Sequence, residues 1–109
     1  MPKYLFEAHY SADGAKGVVK EGGTPRRAAV ARMAESVGGK LESFYFAFGG
    51  VDAYATIDLP DNASAAAVAL AVSQAGAATT RTVVLLTPAE LDAASKKAVD
   101  YRPPGVDPA

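Results

Sequence analysis

The sequence predicts an α+β domain in which one antiparallel four-stranded sheet carries helices on a single face. The stretch from Lys40 to Leu59, KLESFYFAF then GG then VDAYATIDL, is two alternating aromatic and β-branched runs joined by Gly49-Gly50, the pattern of a β-hairpin. On either side of it lie one strand-like run and one alanine-rich helical run, so the chain reads strand, helix, strand, strand, helix, strand, in two halves of roughly 3–48 and 51–87. Glycine and proline fall between these runs and scarcely within them, which separates the elements cleanly.

Taken in order, Lys3 to Tyr10 alternates, with Tyr4, Phe6, Ala8 and Tyr10 on one side and Lys3, Leu5, Glu7 and His9 on the other, and predicts the first strand. Ser11 begins a turn or cap, a short helical turn follows over Ala15 to Lys20, and Gly22-Gly23 ends it. Thr24 predicts an N-cap with Pro25 at the first helical position, and Ala28, Ala29, Met33 and Val37 mark the helix face until Gly38-Gly39. In the hairpin, a two-residue turn would set Phe48, Phe46, Phe44 and Glu42 opposite Val51, Ala53, Ala55 and Ile57 on one face. Leu41, Ser43, Tyr45 and Ala47 would then oppose Asp58, Thr56, Tyr54 and Asp52 on the other. Asp61 or Asn62 caps a second main helix to about Ala75, whose alanine surface permits close approach to the sheet. Thr79 to Leu86, ending in an apolar run, predicts a fourth strand buried on both faces. Thr87-Pro88-Ala89-Glu90 fits a capping box opening a last helix to about Val99. The organisation is therefore a domain over residues 1–99 and a proline-rich tail over 100–109.

This element order is that of the ferredoxin-like split βαβ unit. Right-handed crossovers give a sheet of order 4-1-3-2, with both main helices on one face. The other face would be left uncovered with Tyr45 and Tyr54 on it, a patch that a symmetric homodimer buries.

Composition bounds the function. The 109 residues are half hydrophobic and carry a formal net charge of -1, which lacks the cationic surplus that nucleic acid or an anionic membrane would require. No cysteine is present, which excludes disulfides, thiolate metal ligands and cysteine nucleophiles. A cytoplasmic location is the default expectation for a chain with no signal-peptide pattern and no apolar run near 20 residues. With one histidine and scattered carboxylates, no metal site is expected; the glycines form no phosphate-binding loop, and no cofactor is predicted.

Four stretches resemble the GYD domain family of small bacterial and archaeal proteins: KYLFEAHYSADGAKGVVKEGGTPRR, GGKLESFYFAFG, DLPDNASAAA and LLTPAEL. The resemblance runs from about Pro2 to Tyr101 and implies a ferredoxin-like fold of the dimeric α/β-barrel type. Of the Gly-Tyr-Asp signature, the glycine is Gly49 or Gly50 and the acid is Asp52, while Val51 replaces the tyrosine. The fold relatives it implies include cofactor-independent monooxygenases, dismutase-like haem enzymes and ligand-binding regulatory modules.

One constellation carries chemistry. Antiparallel pairing of the first and third strands brings His9 near Asp52 and Tyr54, so that Glu7, His9, Tyr45, Asp52 and Tyr54 line one cavity on the uncovered face. A histidine oriented by an aspartate exchanges protons near neutral pH, and two phenols hold a polar aromatic molecule; a lone histidine equally serves as a tie between strands or subunits. A weaker anion site is expected at Thr24, Arg26 and Arg27, where a helix N-terminus meets two guanidinium groups, although exposed arginines on a capped helix account for the same pattern. The expected function is a homo-oligomeric module, its partner a second copy of itself, that binds a small organic ligand between stacked sheets. The alternative is a small cofactor-independent enzyme of monooxygenase or isomerase type, with His9 as catalytic base and Asp52 orienting it.

Overall fold

A computed structural model describes residues 1–107; Pro108 and Ala109, the end of the expected tail, lie outside the described residues. The elements are β1 (Lys3–Tyr10), α1 (Ala12–Glu21), α2 (Gly23–Ser36), β2 (Lys40–Phe46), β3 (Ala53–Asp58), α3 (Asn62–Ala75), β4 (Ala78–Leu85) and α4 (Pro88–Ser95). The sheet runs β2-β3-β1-β4, with every neighbouring pair antiparallel, which is the predicted ferredoxin-like order read from the other edge.

The core forms where the alternation of the strands meets the helix stripes. Tyr4 and Phe6 of β1, Ala55 and Ile57 of β3 and Leu41 of β2 pack against Val30 and Ala34 of α2 and Ala65 and Val68 of α3. Both main helices therefore cover the same face. Two glycines permit the closest approaches: a Cβ on Gly14 would run into the carbonyl oxygen of Ala77, and one on Gly39 into that of Asp58.

The caps follow side-chain chemistry. Ser11 accepts the Gly14 N–H at 3.1 Å and opens α1. Asp61 is the cap of α3: its carboxylate accepts from the Ser64 hydroxyl and the Ser64 backbone N–H, and both bonds hold its carboxyl below the usual range. Asn62 is released for another role, its Oδ1 accepting from the hydroxyl of the buried Tyr4. Thr87 and Glu90 complete the expected capping box of α4, and the Thr87 backbone N–H, followed by its hydroxyl, lowers the Glu90 pKa.

Several sequence expectations are corrected. The helical turn after Ser11 is a full ten-residue helix, and α2 begins at Gly23 with Gly22 as its N-cap, at φ 93°, so Thr24 is no cap. The inner stripe of α2 includes Met33 and, at the C-cap, Val37 as expected, but its buried residues are Val30 and Ala34, and Ala28 faces solvent. The hairpin register holds from Phe46 opposite Ala53 to Ser43 opposite Thr56, then a β-bulge intervenes. Leu41 consequently opposes Ile57 and enters the core, while Glu42 turns out to pair with Lys3, which also donates to Asp58 at 3.0 Å. A polar Glu42 in the core would have been far costlier than one irregular ladder step. The turn is also wider than two residues: the Ala47 N–H to Asp52 O bond of 2.8 Å closes a loop that leaves Phe48 fully exposed.

The largest correction concerns β4. It is an edge strand, with Ala78 its only buried residue and Val83 and Val84 exposed. Arg81 in the middle of the run has no place in a strand covered on both sides. Beyond it, α4 ends at Ser95 rather than near Val99, and every residue from Leu86 to Asp107 is exposed. The radius of gyration is accordingly 17.7 Å, against roughly 13 Å for a compact domain of this length. The end of the chain stands away from its own domain.

Candidate functional site

The helix-free face of the sheet is built from alternate residues of all four strands. Cross-strand register sets Tyr45 beside Tyr54, Tyr54 beside Glu7 and Glu7 beside Arg81, a single row across β2, β3, β1 and β4. The adjacent row runs Ser43, Thr56, Leu5 and Val83, with the Ser43 and Thr56 hydroxyls hydrogen-bonded to each other. Tyr45 is 70% exposed and Tyr54 37% exposed. The row thus alternates phenol, phenol, carboxylate and guanidinium, which presents donors, acceptors and flat apolar rings on one open surface.

His9 lies on this face one step further along β1, opposite Thr79 of β4. Continuing the β1–β3 register by one position carries Asp52 across from His9. The Asp52 backbone N–H donates to Ala8 O at 2.9 Å, and its carboxylate Oδ2 accepts the Tyr10 N–H, also at 2.9 Å. Asp52 therefore ties the end of β1 to the start of β3 through one main-chain bond and one bond to its carboxylate. The five residues Glu7, His9, Tyr45, Asp52 and Tyr54 fall at the same end of the sheet, as their strand phase implies. Arg81 joins them and was missed by sequence reasoning; a charge inside the run TTRTVVLL was the signal that the strand keeps one side open.

The second expected cluster comes apart. Thr24 and Arg27 are exposed, whereas Arg26 turns inward between the helices and the sheet. Among the described residues, no three His, Asp or Glu side chains are grouped as a metal site would require, and no helix is long and apolar enough to cross a membrane.

An α+β sheet with two helices crossing one face and the other left bare defines a ferredoxin-like protein. The chain belongs to the GYD domain family, whose family model matches residues 4–95. That match ends with α4, leaving the proline-rich end outside it. Neither a search of curated proteins nor one of solved structures found a match.

Proposed function

We propose that the protein is a homo-oligomeric ligand-binding module, in which two copies stack their bare sheet faces and hold a small polar aromatic molecule between the rows of Tyr45, Tyr54, Glu7 and Arg81. The observation that carries this reading is the uncovered face itself, where Tyr45 of β2, Tyr54 of β3 and Val83 of β4 stand in solvent beside the half-buried Leu5 of β1. Such a patch is unfavourable on a monomer, and a two-fold interface buries it on both copies at once. Two further features support the same reading. The outer edge of β4 is unpaired, and Arg81 is the one charge along it. The segment from Leu86 to Asp107 is exposed throughout and carries Leu91, Val99 and Tyr101, apolar surface that a second copy would cover.

The ligand chemistry follows from the row. Two phenol rings stack on an aromatic plane, Glu7 accepts a hydrogen bond, and Arg81 and His9 donate. The enzymatic alternative needs Asp52 to orient His9, yet among the described residues the Asp52 carboxylate bonds the Tyr10 N–H through Oδ2 and makes no bond to His9, which favours the binding reading.

Light scattering at micromolar concentration tests the reading: a mass of at least twice 11.1 kDa is expected. Tyr54→Asp places a charge in the contact and should shift the protein towards the monomer. A single species near 11.1 kDa for the parent chain, or an oligomer indifferent to Tyr54→Asp, would sink it. Native mass spectrometry of the freshly purified protein then reports any molecule retained between the sheets.

A further inference from the structure

We infer that the opposite, helix-covered side of the sheet carries a separate binding site for a hydrocarbon monocarboxylate, anchored by Arg26. Two adjoining spaces lie there. The inner one, about 50 Å³, sits between the sheet and α2 and α3 and is walled by apolar side chains such as Phe6, Val30, Phe44 and Val68. The outer one, about 340 Å³, is bounded by α1, α2 and the end of α3. Its size falls within the range of small-molecule sites, roughly 300–1,000 Å³. Tyr10, Arg26, Met33, Val72 and Ala78 line both, so Arg26 stands in the wall that the two spaces share.

Arg26 is the anomaly that points to a ligand. Its Nε is buried and has no hydrogen-bond partner, and among the described residues no carboxylate of the chain forms an ion pair with it. A shielded Nε donor left unused is unfavourable, and a carboxylate meeting Nε and a terminal nitrogen side-on would complete it with two parallel charge-assisted bonds. The Tyr10 phenol lines the same junction and supplies a further donor.

The walls define the rest of the molecule. The inner space offers scarcely any polar group besides Arg26, Tyr10 and Thr80, so the part of the ligand that enters it is hydrocarbon. Asp13 and Glu21 line the outer space. Their negative charges oppose a dianion and leave one carboxylate as the charge that Arg26 can match. Met33, flexible and polarisable, lies at the junction and adapts to an aliphatic chain. This site shares no residue with the row on the open face and does not depend on the assembly proposed above.

The test is a titration of the full chain with sodium octanoate, followed by methyl NMR, with 1-octanol as the uncharged comparison. Saturable binding that moves the Val30, Val68 and Val72 methyl signals is expected. Arg26→Met keeps the length and apolar stem of the side chain, removes the unpaired charge, and should melt no lower than the parent. It should weaken octanoate by about tenfold or more, as loss of a charge-assisted bond implies, while octanol affinity stays nearly unchanged. Arg26→Lys should retain part of the octanoate affinity, and Val72→Phe, which fills the junction, should weaken both molecules; these two decide the matter if Arg26→Met does not fold. No binding at millimolar octanoate, equal octanoate affinity in parent and Arg26→Met, or shifts confined to the Leu5 and Val83 methyls of the open face would overturn the inference.

Discussion

The bulge in β2 makes a quantitative prediction, because it decides which of two adjacent residues lies in the core. With the bulge, Leu41 is 8% exposed and packs with Ile57, whereas Glu42 is outside, ion-paired with Lys3. Leu41→Ala removes three buried carbons, about 2.4 kcal/mol at about 0.8 kcal/mol per methylene. The space left behind raises the cost to about 3 kcal/mol, inside the usual range for such truncations. Glu42→Ala loses only a partly exposed ion pair, since the Glu42 side chain is 49% exposed and that of Lys3 32%. Its cost should stay within about 0.5 kcal/mol. In urea, with a slope of about 1.5 kcal/mol per molar, Leu41→Ala should lower the midpoint by about 2 M and Glu42→Ala by about 0.3 M. Both variants need the same protomer concentration, because association stabilises the folded state. With an uninterrupted register Leu41 would lie on the open face, and Leu41→Ala would cost little. A midpoint for Leu41→Ala close to that of the parent would refute the bulge.

Other perturbations follow from particular contacts. Gly14→Ala and Gly39→Ala place a Cβ against a backbone carbonyl, so both should lower the melting temperature clearly, while Gly17→Ala, with open space around it, should leave it unchanged or raise it. The Asp61 carboxyl is held below its ordinary pKa by Ser64, so its cap is at full strength above the unfolded carboxylate pKa of about 4 and is lost as pH falls through the lower folded value. Amide exchange at Ser64 and Ala65 should therefore quicken relative to mid-helix amides in that acid window, and Asp61→Asn should remove this dependence. Truncation after Leu86 should weaken assembly with little effect on the secondary structure of the remaining chain, because the removed segment is exposed throughout; unchanged sedimentation would show that it makes no contact with a second copy.

Much of the fold was legible because it rests on local rules. The alternation of Lys3 to Tyr10, the capping box at Thr87 and Glu90 and the glycine pair after α2 each specify their element without help from elsewhere. The misplaced details depend on distant partners. The bulge follows from Glu42 being drawn to Lys3, far away in sequence. The apolar end of β4 reads the same whether helices or solvent lie beside it, and only the charge of Arg81 hinted at an exposed edge. In the candidate site, strand phase gathered Glu7, His9, Tyr45, Asp52 and Tyr54, but Arg81 enters through the β1–β4 register, which no local signal specifies. Arg26 was noticed for its helix terminus; its inward turn depends on the packing of three helices.

The account rests on two copies meeting through the bare sheet face, and isotope-filtered NMR on a mixture of labelled and unlabelled chains tests that contact directly. Leu5 and Val83 stand on that face in the row beside Tyr45 and Tyr54, so their methyl groups should show intermolecular cross-relaxation to tyrosine rings of the unlabelled copy. Intermolecular signals confined to the exposed helix residues Val19 and Leu70, or none from either side of the sheet, would contradict it.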